Sequence, residues 1–421
     1  MDYDVAVIGG GVVGAANLYV LSRFTNASAV LIEKNQLPGL EASKSSHNSQ
    51  THHRGDIETQ YSLEETLRVK EQADLLAAYV RRRSALRHDV TKMLLATGDE
   101  CAALRLRYAA LKQYFPKLEL LDAQGVADYE PRVAEGREGA YAAIVDPEGL
   151  AIDFGRVASS FIEEARRPGI DALFGRKANR ISRSADGFAI KTGDGTISAR
   201  SLIISAGAHT LPLAQQLGLG EEYCVFPVAG CFFKAPKVLN GKVYTFQRPG
   251  IPFVAVHGDP DVNDASVTRL GPTAYPAPFL EWRKWRTALS VLRAAPLRKA
   301  LRALRVLDKP RRDFFLENIR YLGPQGRKAF LPNAQRIVPS LTADDLERDA
   351  SLGGVRPQVV DAERGCIVHG EAKLLGERLI ANLTPSPGAS TCLAIARADA
   401  RRITAALGRS FAEEEFCQVF S

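Results

Sequence analysis

The chain opens on MDYD and passes straight into VAVIG, a short unbroken apolar run suited to a strand buried on both faces. Glycines follow, then AANLYVLSRF with helical spacing, then a second apolar run, AVLIEK. One β-α-β unit is therefore expected within the first 34 residues. Leu63 to Arg83 and Asp99 to Phe115 read as helices, DALFGR as a strand, and DPEG, Asp146 to Gly149, as a turn returning between lobes. Phe188 to Ala199, FAIKTGDGTISA, carries a hairpin signal around Gly-Asp-Gly. An apolar strand, Ser201 to Ser205, runs into Ala206-Gly207. RLIANL, Arg378 to Leu383, is another buried-strand run, leading through TPSPGAST into the helix CLAIARADARRITAAL. No internal repeat or low-complexity tract interrupts this pattern. At 421 residues the chain exceeds the size at which one core keeps growing, so two lobes are expected.

Between the first strand and its helix, Gly9, Gly11 and Gly14 satisfy G-x-G-x-x-G. These glycines let the backbone turn tightly and approach a pyrophosphate at the helix N-terminus. Glu33 ends the second strand 19 residues after Gly14, where a carboxylate can accept hydrogen bonds from ribose hydroxyls. An acid there, rather than arginine, disfavours a 2′-phosphate, which leaves NAD or FAD. The PSPGAST helix start offers free backbone N–H groups that suit negative charge, such as that of a reduced flavin; a plain helix cap reads the same way.

The net charge of +7 is concentrated. Between Trp282 and Arg312 stand eleven Lys or Arg and a single acid, Asp308, with leucines at near-helical spacing. Such a segment can lie on an anionic membrane surface or pack on its own lobe as a solvated helix. Nucleic acid is not expected, since no recognition motif accompanies the charge. The six cysteines show no CxxC pairing, which fits a reducing compartment. No apolar run reaches the roughly 18 residues that span a bilayer, and no signal peptide is legible, so a cytoplasmic protein is expected, peripheral to the inner face of the membrane if 282–312 makes contact.

Taken together, the N-terminal glycine motif, the IISAGA strand and the PSPGAST helix start resemble the D-amino-acid-oxidase-like FAD superfamily over nearly the whole chain. Two of its families look similar in detail. In N-S-Q-T-H-H-R-G-D-I-E-T-Q-Y-S, residues Asn48, Thr51, His53, Glu58 and Tyr61 fall on a malate:quinone oxidoreductase pattern, as does S-P-G-A-S-T at Ser386 to Thr391. Asn48, Ser49 and His53, together with Gly354, Val355, Arg356 and Gln358, match motifs of the L-2-hydroxyglutarate oxidases. PFVAVH, Pro252 to His257, is similar to the segment that brings a histidine towards the flavin in both. Gln50 departs from both, replacing a glycine.

The resemblance implies an α/β protein: a Rossmann-like FAD-binding domain of separated segments, 1–85, 146–223 and 330–421, with a mixed-sheet α+β substrate lobe from 86–145 and 224–329. It implies non-covalent FAD held by Gly9, Gly11, Gly14, Glu33, Lys34, Ser45, Ser46, Asn48, Ser49, Ala178, Ala206, Gly207, Gly388, Ala389, Ser390 and Thr391. The implied reaction is oxidation of a small 2-hydroxy acid, malate or L-2-hydroxyglutarate, with quinone or oxygen as acceptor. An amine or amino-acid oxidase, a specialised biosynthetic flavoenzyme or a flavoprotein with a structural cofactor remain rivals on the same fold.

Three of the seven histidines, His47, His52 and His53, crowd into SSHNSQTHHRGD. In an extended run His52 and His53 face opposite sides, which weakens a metal clip, and no ligand spacing is present; no metal is expected. Their segment is implied to pass along the pyrophosphate and the flavin edge, with His47 and His52 on the loop or pyrophosphate side. His53 is the candidate proton acceptor and His257 its rival. Arg356 suits a bidentate clamp on the substrate carboxylate, with Gln358 and Thr51 as further substrate contacts.

Overall fold

Residues 2–248, 251, 255–294, 307–368, 372–383 and 387–420 are described by the computed structural model. Five of its strands run parallel, in the spatial order Ile170–Leu173, Ala29–Ile32, Tyr3–Ile8, Gly195–Ile204, Leu379–Leu383. Ala29–Ile32, most of Tyr3–Ile8 and the last residues of Gly195–Ile204 are apolar because helices cover one face and a second apolar layer covers the other. The helices Val12–Phe24 and Cys392–Ala406 pack on one another in that helical layer, as the sequence pattern predicts. The hairpin of Gly187–Thr192 and the start of Gly195–Ile204 extends the sheet, and Ala372–Gly376 closes its other edge antiparallel. The strand ends after Ile8, Ile32, Ile204 and Leu383 therefore share one edge, where ligands of open parallel sheets bind.

A second, mixed sheet stands beside the first, ordered Cys366–Val368, Glu347–Asp361, Tyr223–Pro236, Val267–Gly271, His257–Pro260, Lys242–Thr245, Lys92–Thr97, Tyr141–Asp146, Glu119–Leu121. One expected boundary changes here. The sequence places 330–421 with the FAD-binding segments, yet within it Glu347–Asp361 pairs antiparallel along almost the whole of Tyr223–Pro236 in the second sheet. Phe330, Ala334, Ile337 and Leu346 belong to the core of that same second sheet. The cause is the pattern: ERDASLGGVRPQVVD is polar at one end, interrupted by Pro357, and does not alternate as a half-buried strand does.

Two elements show why the chain folds locally as it does. Ser62 caps the helix Leu63–Arg81 by accepting from the Glu65 N–H at 3.1 Å, with Glu64 and Glu65 in the first turn. Asp153 caps Phe154–Glu164 in the same manner, accepting from Gly155 and Arg156. Among the described residues, no helix is long and apolar enough to cross a membrane. Pro252 to Phe253 and Val254, residues 295–306 of the basic stretch, and Thr384, Pro385 and Ser386 of TPSPGAST lie outside the described residues.

Lys92 and Lys242 stand opposite one another in parallel register, and neither is exposed. Each is paired: Lys92 with Asp56 at 2.6 Å, Lys242 with Asp259 at 3.0 Å. Removing one partner of such a pair leaves a buried charge uncompensated, at a cost of about 3–5 kcal/mol. Lys92→Met should therefore lower unfolding free energy by about that amount, and Lys92→Met/Asp56→Leu should recover at least half of it. Urea denaturation of the two variants measures both; equal losses would mean that Asp56 is not the partner that matters.

Candidate active site

The glycine turn is shaped by contacts that leave no room for side chains. Gly9 has φ +108°, and a Cβ there would meet the Ser205 carbonyl oxygen at 2.4 Å. A Cβ on Gly14 would lie 1.9 Å from the Gly9 carbonyl oxygen. Gly11 differs: its nearest neighbour would be Ser43 Oγ at 3.3 Å, which leaves the backbone open for close approach. Glu33 accepts from the N–H groups of Gly10 at 2.6 Å and Asn35 at 2.8 Å, so its carboxylate is fixed beside the turn. Ser43 Oγ caps Val12 at 2.9 Å. Ala206 and Gly207, at the end of the neighbouring strand, turn through a φ of +56° at Gly207, with the Ala206 N–H donating to Thr210. Ala178 is buried at the far end of the same layer.

Residues 45–53 run from this turn to the second sheet. Ser46 Oγ is buried with no hydrogen-bond partner among the described residues, as a group awaiting a ligand would be. Ser45 Oγ accepts from Asn263, while Asn48 braces the loop through the Ala42 and Lys44 carbonyls. Lys34 pairs with Glu281, which also binds His209 and Lys284; burial alone would raise the Glu281 carboxyl, but these three partners hold it far below its usual range. Gln50, in the glycine position of the resembling families, takes φ +57°. Its amide spans outwards, donating to the Ser45 carbonyl at 3.2 Å and accepting from Val262 N–H at 3.1 Å.

Buried cations grip the carbonyls of this segment. Lys242 donates to Ser49, Arg269 to Ser45 and Asn48, and Lys92 to His52. Burial pushes Lys242 down to about 8 despite the opposing Asp259, which marks how dry the cluster is. None of these cations was foreseen, because lysine and arginine ordinarily read as solvated. The only signal is position: Arg269 sits at the centre of the apolar strand VTRLG. The segment also crosses the strand Glu347–Asp361 closely, since a Cβ on Gly354 would stand 2.0 Å from the His47 carbonyl oxygen. That contact gives the glycine of the G-V-R motif its physical reason.

The three clustered histidines separate. His52 is fully buried and bonds the Ala73 carbonyl at 3.0 Å; burial, then Lys92 and Arg54, push it down to about 3. It faces the helix Leu63–Arg81 rather than the pyrophosphate side. His47 bonds the Glu41 carbonyl at 2.9 Å and is pushed down to about 4, mainly by burial. His53 keeps partial exposure, 19%. Its Nδ1 lies 2.5 Å from Glu58 Oε1, and its N–H donates to Ser390 Oγ at 2.9 Å. Ser390 belongs to the turn Pro387–Thr391 that starts the helix Cys392–Ala406 with Gly388 and Ala389.

Tyr244 joins the remaining candidates. Its hydroxyl is 2.5 Å from Thr51 Oγ1, and its ring meets His53 edge-on at 6.3 Å and stacks on His257 at 4.4 Å. Burial, then Asp259, raises its phenol well above the usual value, so it stays a neutral donor. His257 is buried, with Nδ1 2.9 Å from the Ala255 carbonyl oxygen and Nε2 3.2 Å from Asp259. Burial lowers its basicity. Loss of solvent lowers the Arg356 guanidinium, and the nearby Tyr244 hydroxyl opposes that effect. Gln358 projects from the same strand face two residues on. Arg248 and Arg336, two other conceivable carboxylate binders, are engaged by Glu317 and Glu100. Thus Tyr244 contacts Thr51, His53 and His257, and Arg356 is near enough to Tyr244 to feel it electrostatically.

Comparisons with known proteins give the family and the fold. Residues 4–402 match the family described as DAO, FAD dependent oxidoreductase. The probable malate:quinone oxidoreductase of Helicobacter pylori (strain P12) is 37% identical over 99% of this chain and 97% of its own length. The mitochondrial L-2-hydroxyglutarate dehydrogenase of Nematostella vectensis is 29% identical over 94% of this chain and 89% of its own. Among solved structures, dithionite-reduced L-alpha-glycerophosphate oxidase from Mycoplasma pneumoniae with FAD bound superposes with a TM-score of 0.66 at 18% identity, covering 96% of this chain and 94% of that one. The open turn at Gly11, the fixed Glu33 carboxylate and the unpartnered Ser46 hydroxyl suit that cofactor. With FAD as its cofactor, the chain belongs to the FAD-dependent oxidoreductase family.

Proposed function

We propose that this protein oxidises L-malate to oxaloacetate and passes the electrons to a quinone. The observation that carries the reading is the full-length likeness to malate:quinone oxidoreductases, joined to a site in which a partly exposed histidine is paired with a carboxylate and packs against Tyr244. FAD, when bound, supplies the acceptor for the hydrogen and electron pair leaving C2. His53 takes the hydroxyl proton at Nε2, since Nδ1 is occupied by Glu58. Arg356 holds the C1 carboxylate through the bidentate fork of its guanidinium. Tyr244 and Thr51 close the site on the His53 side. His257, with both ring nitrogens turned to protein oxygens, supports Tyr244 rather than the substrate.

Quinone is a membrane-borne acceptor, and the region 282–294 offers a surface for meeting it. Trp285 is 67% and Leu289 64% exposed, beside the exposed Arg283 and Arg286. Apolar side chains flanked by arginine fit an anionic lipid interface, so this reading places the protein peripherally on the cytoplasmic face of a membrane.

Anaerobic addition of L-malate should bleach the flavin absorbance of the purified protein, and His53→Ala should slow that bleaching by about 10²–10⁴-fold. His257→Ala should slow it less than tenfold. Bleaching by amino acids alone would move the protein to an amine-oxidising role. Arg356→Lys should raise KM for malate by at least about tenfold, because a single ammonium cannot make the bidentate contact. Trp285→Ser/Leu289→Ser should at least halve co-sedimentation with vesicles containing phosphatidylglycerol; unchanged binding would place the membrane contact elsewhere.

A further inference from the structure

The turn from Arg54 to Glu58 is held far more firmly than a surface loop requires. Arg54 donates to Asp74 at 2.9 Å and lies 3.8 Å from Asp146. Asp56 is buried against Lys92, and Lys92 outweighs the effect of burial and keeps the Asp56 carboxyl below its ordinary value. Arg107 donates to the Gly55 carbonyl at 2.7 Å, and Gly55 itself takes φ +87° against Thr66. Just beyond, Gln247 binds Thr59 and the Gln60 N–H. These contacts brace the turn that holds Glu58 beside His53. Its Oε1 meets Nδ1 at 2.5 Å, and its Oε2 is buried without a hydrogen bond. An unpartnered buried carboxylate oxygen is unfavourable and points to a use beyond stability.

We propose that Glu58 is the positioning residue for the base: it accepts Nδ1–H, fixes the tautomer that leaves Nε2 as acceptor, and stabilises the imidazolium once the proton arrives. This rests on His53 being the base. The balance is simple. The hydroxyl proton of the substrate moves to His53 Nε2, the electrons of the broken O–H bond complete the C2=O double bond, and the C2 hydrogen departs with its electron pair to the family's cofactor. Glu58 itself neither gains nor loses a proton. A carboxylate in this relation to a catalytic imidazole holds its orientation and tautomer.

The test compares Glu58→Ala and Glu58→Gln with wild type in the FAD-loaded protein. Glu58→Ala should lower kcat with L-malate by about 10²-fold, with KM changed less than about threefold. Glu58→Gln, whose amide oxygen can still accept Nδ1–H, should fall between Glu58→Ala and wild type. Independently of turnover, proton NMR of protein labelled at histidine nitrogen should show a downfield ring N–H signal that is lost in His53→Asn and in Glu58→Ala. Wild-type kcat in Glu58→Ala, a Glu58→Gln no better than Glu58→Ala, or survival of the signal without Glu58 would each overturn the proposal. Should L-malate leave the wild-type flavin oxidised, the substrate assignment fails, and the NMR signal alone decides the pairing.

Discussion

Cations buried in the second sheet hold the main chain of residues 45–52, and the site depends on that grip. Lys92 and Lys242, side by side in register, and Arg269, two strands from Lys242, reach the carbonyls of Ser45, Asn48, Ser49 and His52. Carbonyl oxygens pointed at cations in a dry interior are oriented more firmly than by ordinary hydrogen bonds. The carboxylates of Asp56 and Asp259 keep the cations tolerable there, since an unpaired charge at such depth would not persist. One segment is thus fastened to the second sheet through its carbonyls and to the first through Ser390 and the glycine turn.

This arrangement decides what each histidine can do. Adjacent positions on an extended segment face opposite ways, so pinning the His52 carbonyl on Lys92 sends one ring into the helical layer and the next towards Tyr244. Dryness keeps His47 and His52 neutral and devoted to structure. A carboxylate partner distinguishes His53 from both. The same dryness turns Tyr244 into a rigid neutral wall stacked on His257, so the second imidazole acts by support.

Much of the nucleotide-binding half was legible in the sequence because its signals are local. The glycine turn, Glu33 and the apolar strands read from spacing alone, and the contacts at Gly9 and Gly14 give that spacing its steric reason. The hairpin around Gly193 and the helix from Cys392 read equally well. The second sheet did not, because its long strand Glu347–Asp361 is held by partners more than a hundred residues away and shows no alternation. The buried cation cluster was invisible for a related reason: lysine looks the same on a surface as beside a buried aspartate, and only tertiary pairing tells them apart. Glu58 falls on the family pattern five residues after His53, but nothing in the spacing says that the turn folds back to bring the two within reach.

Gln50 carries a consequence for hybrids between related chains. Its left-handed backbone is what a glycine supplies without strain, and its amide occupies Ser45 and Val262, on two different segments. The residue is therefore half of a pair whose other half is the backbone around Val262. Grafting the 45–53 segment from a glycine-bearing homologue would relax the backbone but strand the Val262 N–H without its acceptor. Sequence exchange at this position is symmetrical on paper and asymmetrical in the fold, so the two segments have to be swapped as one unit.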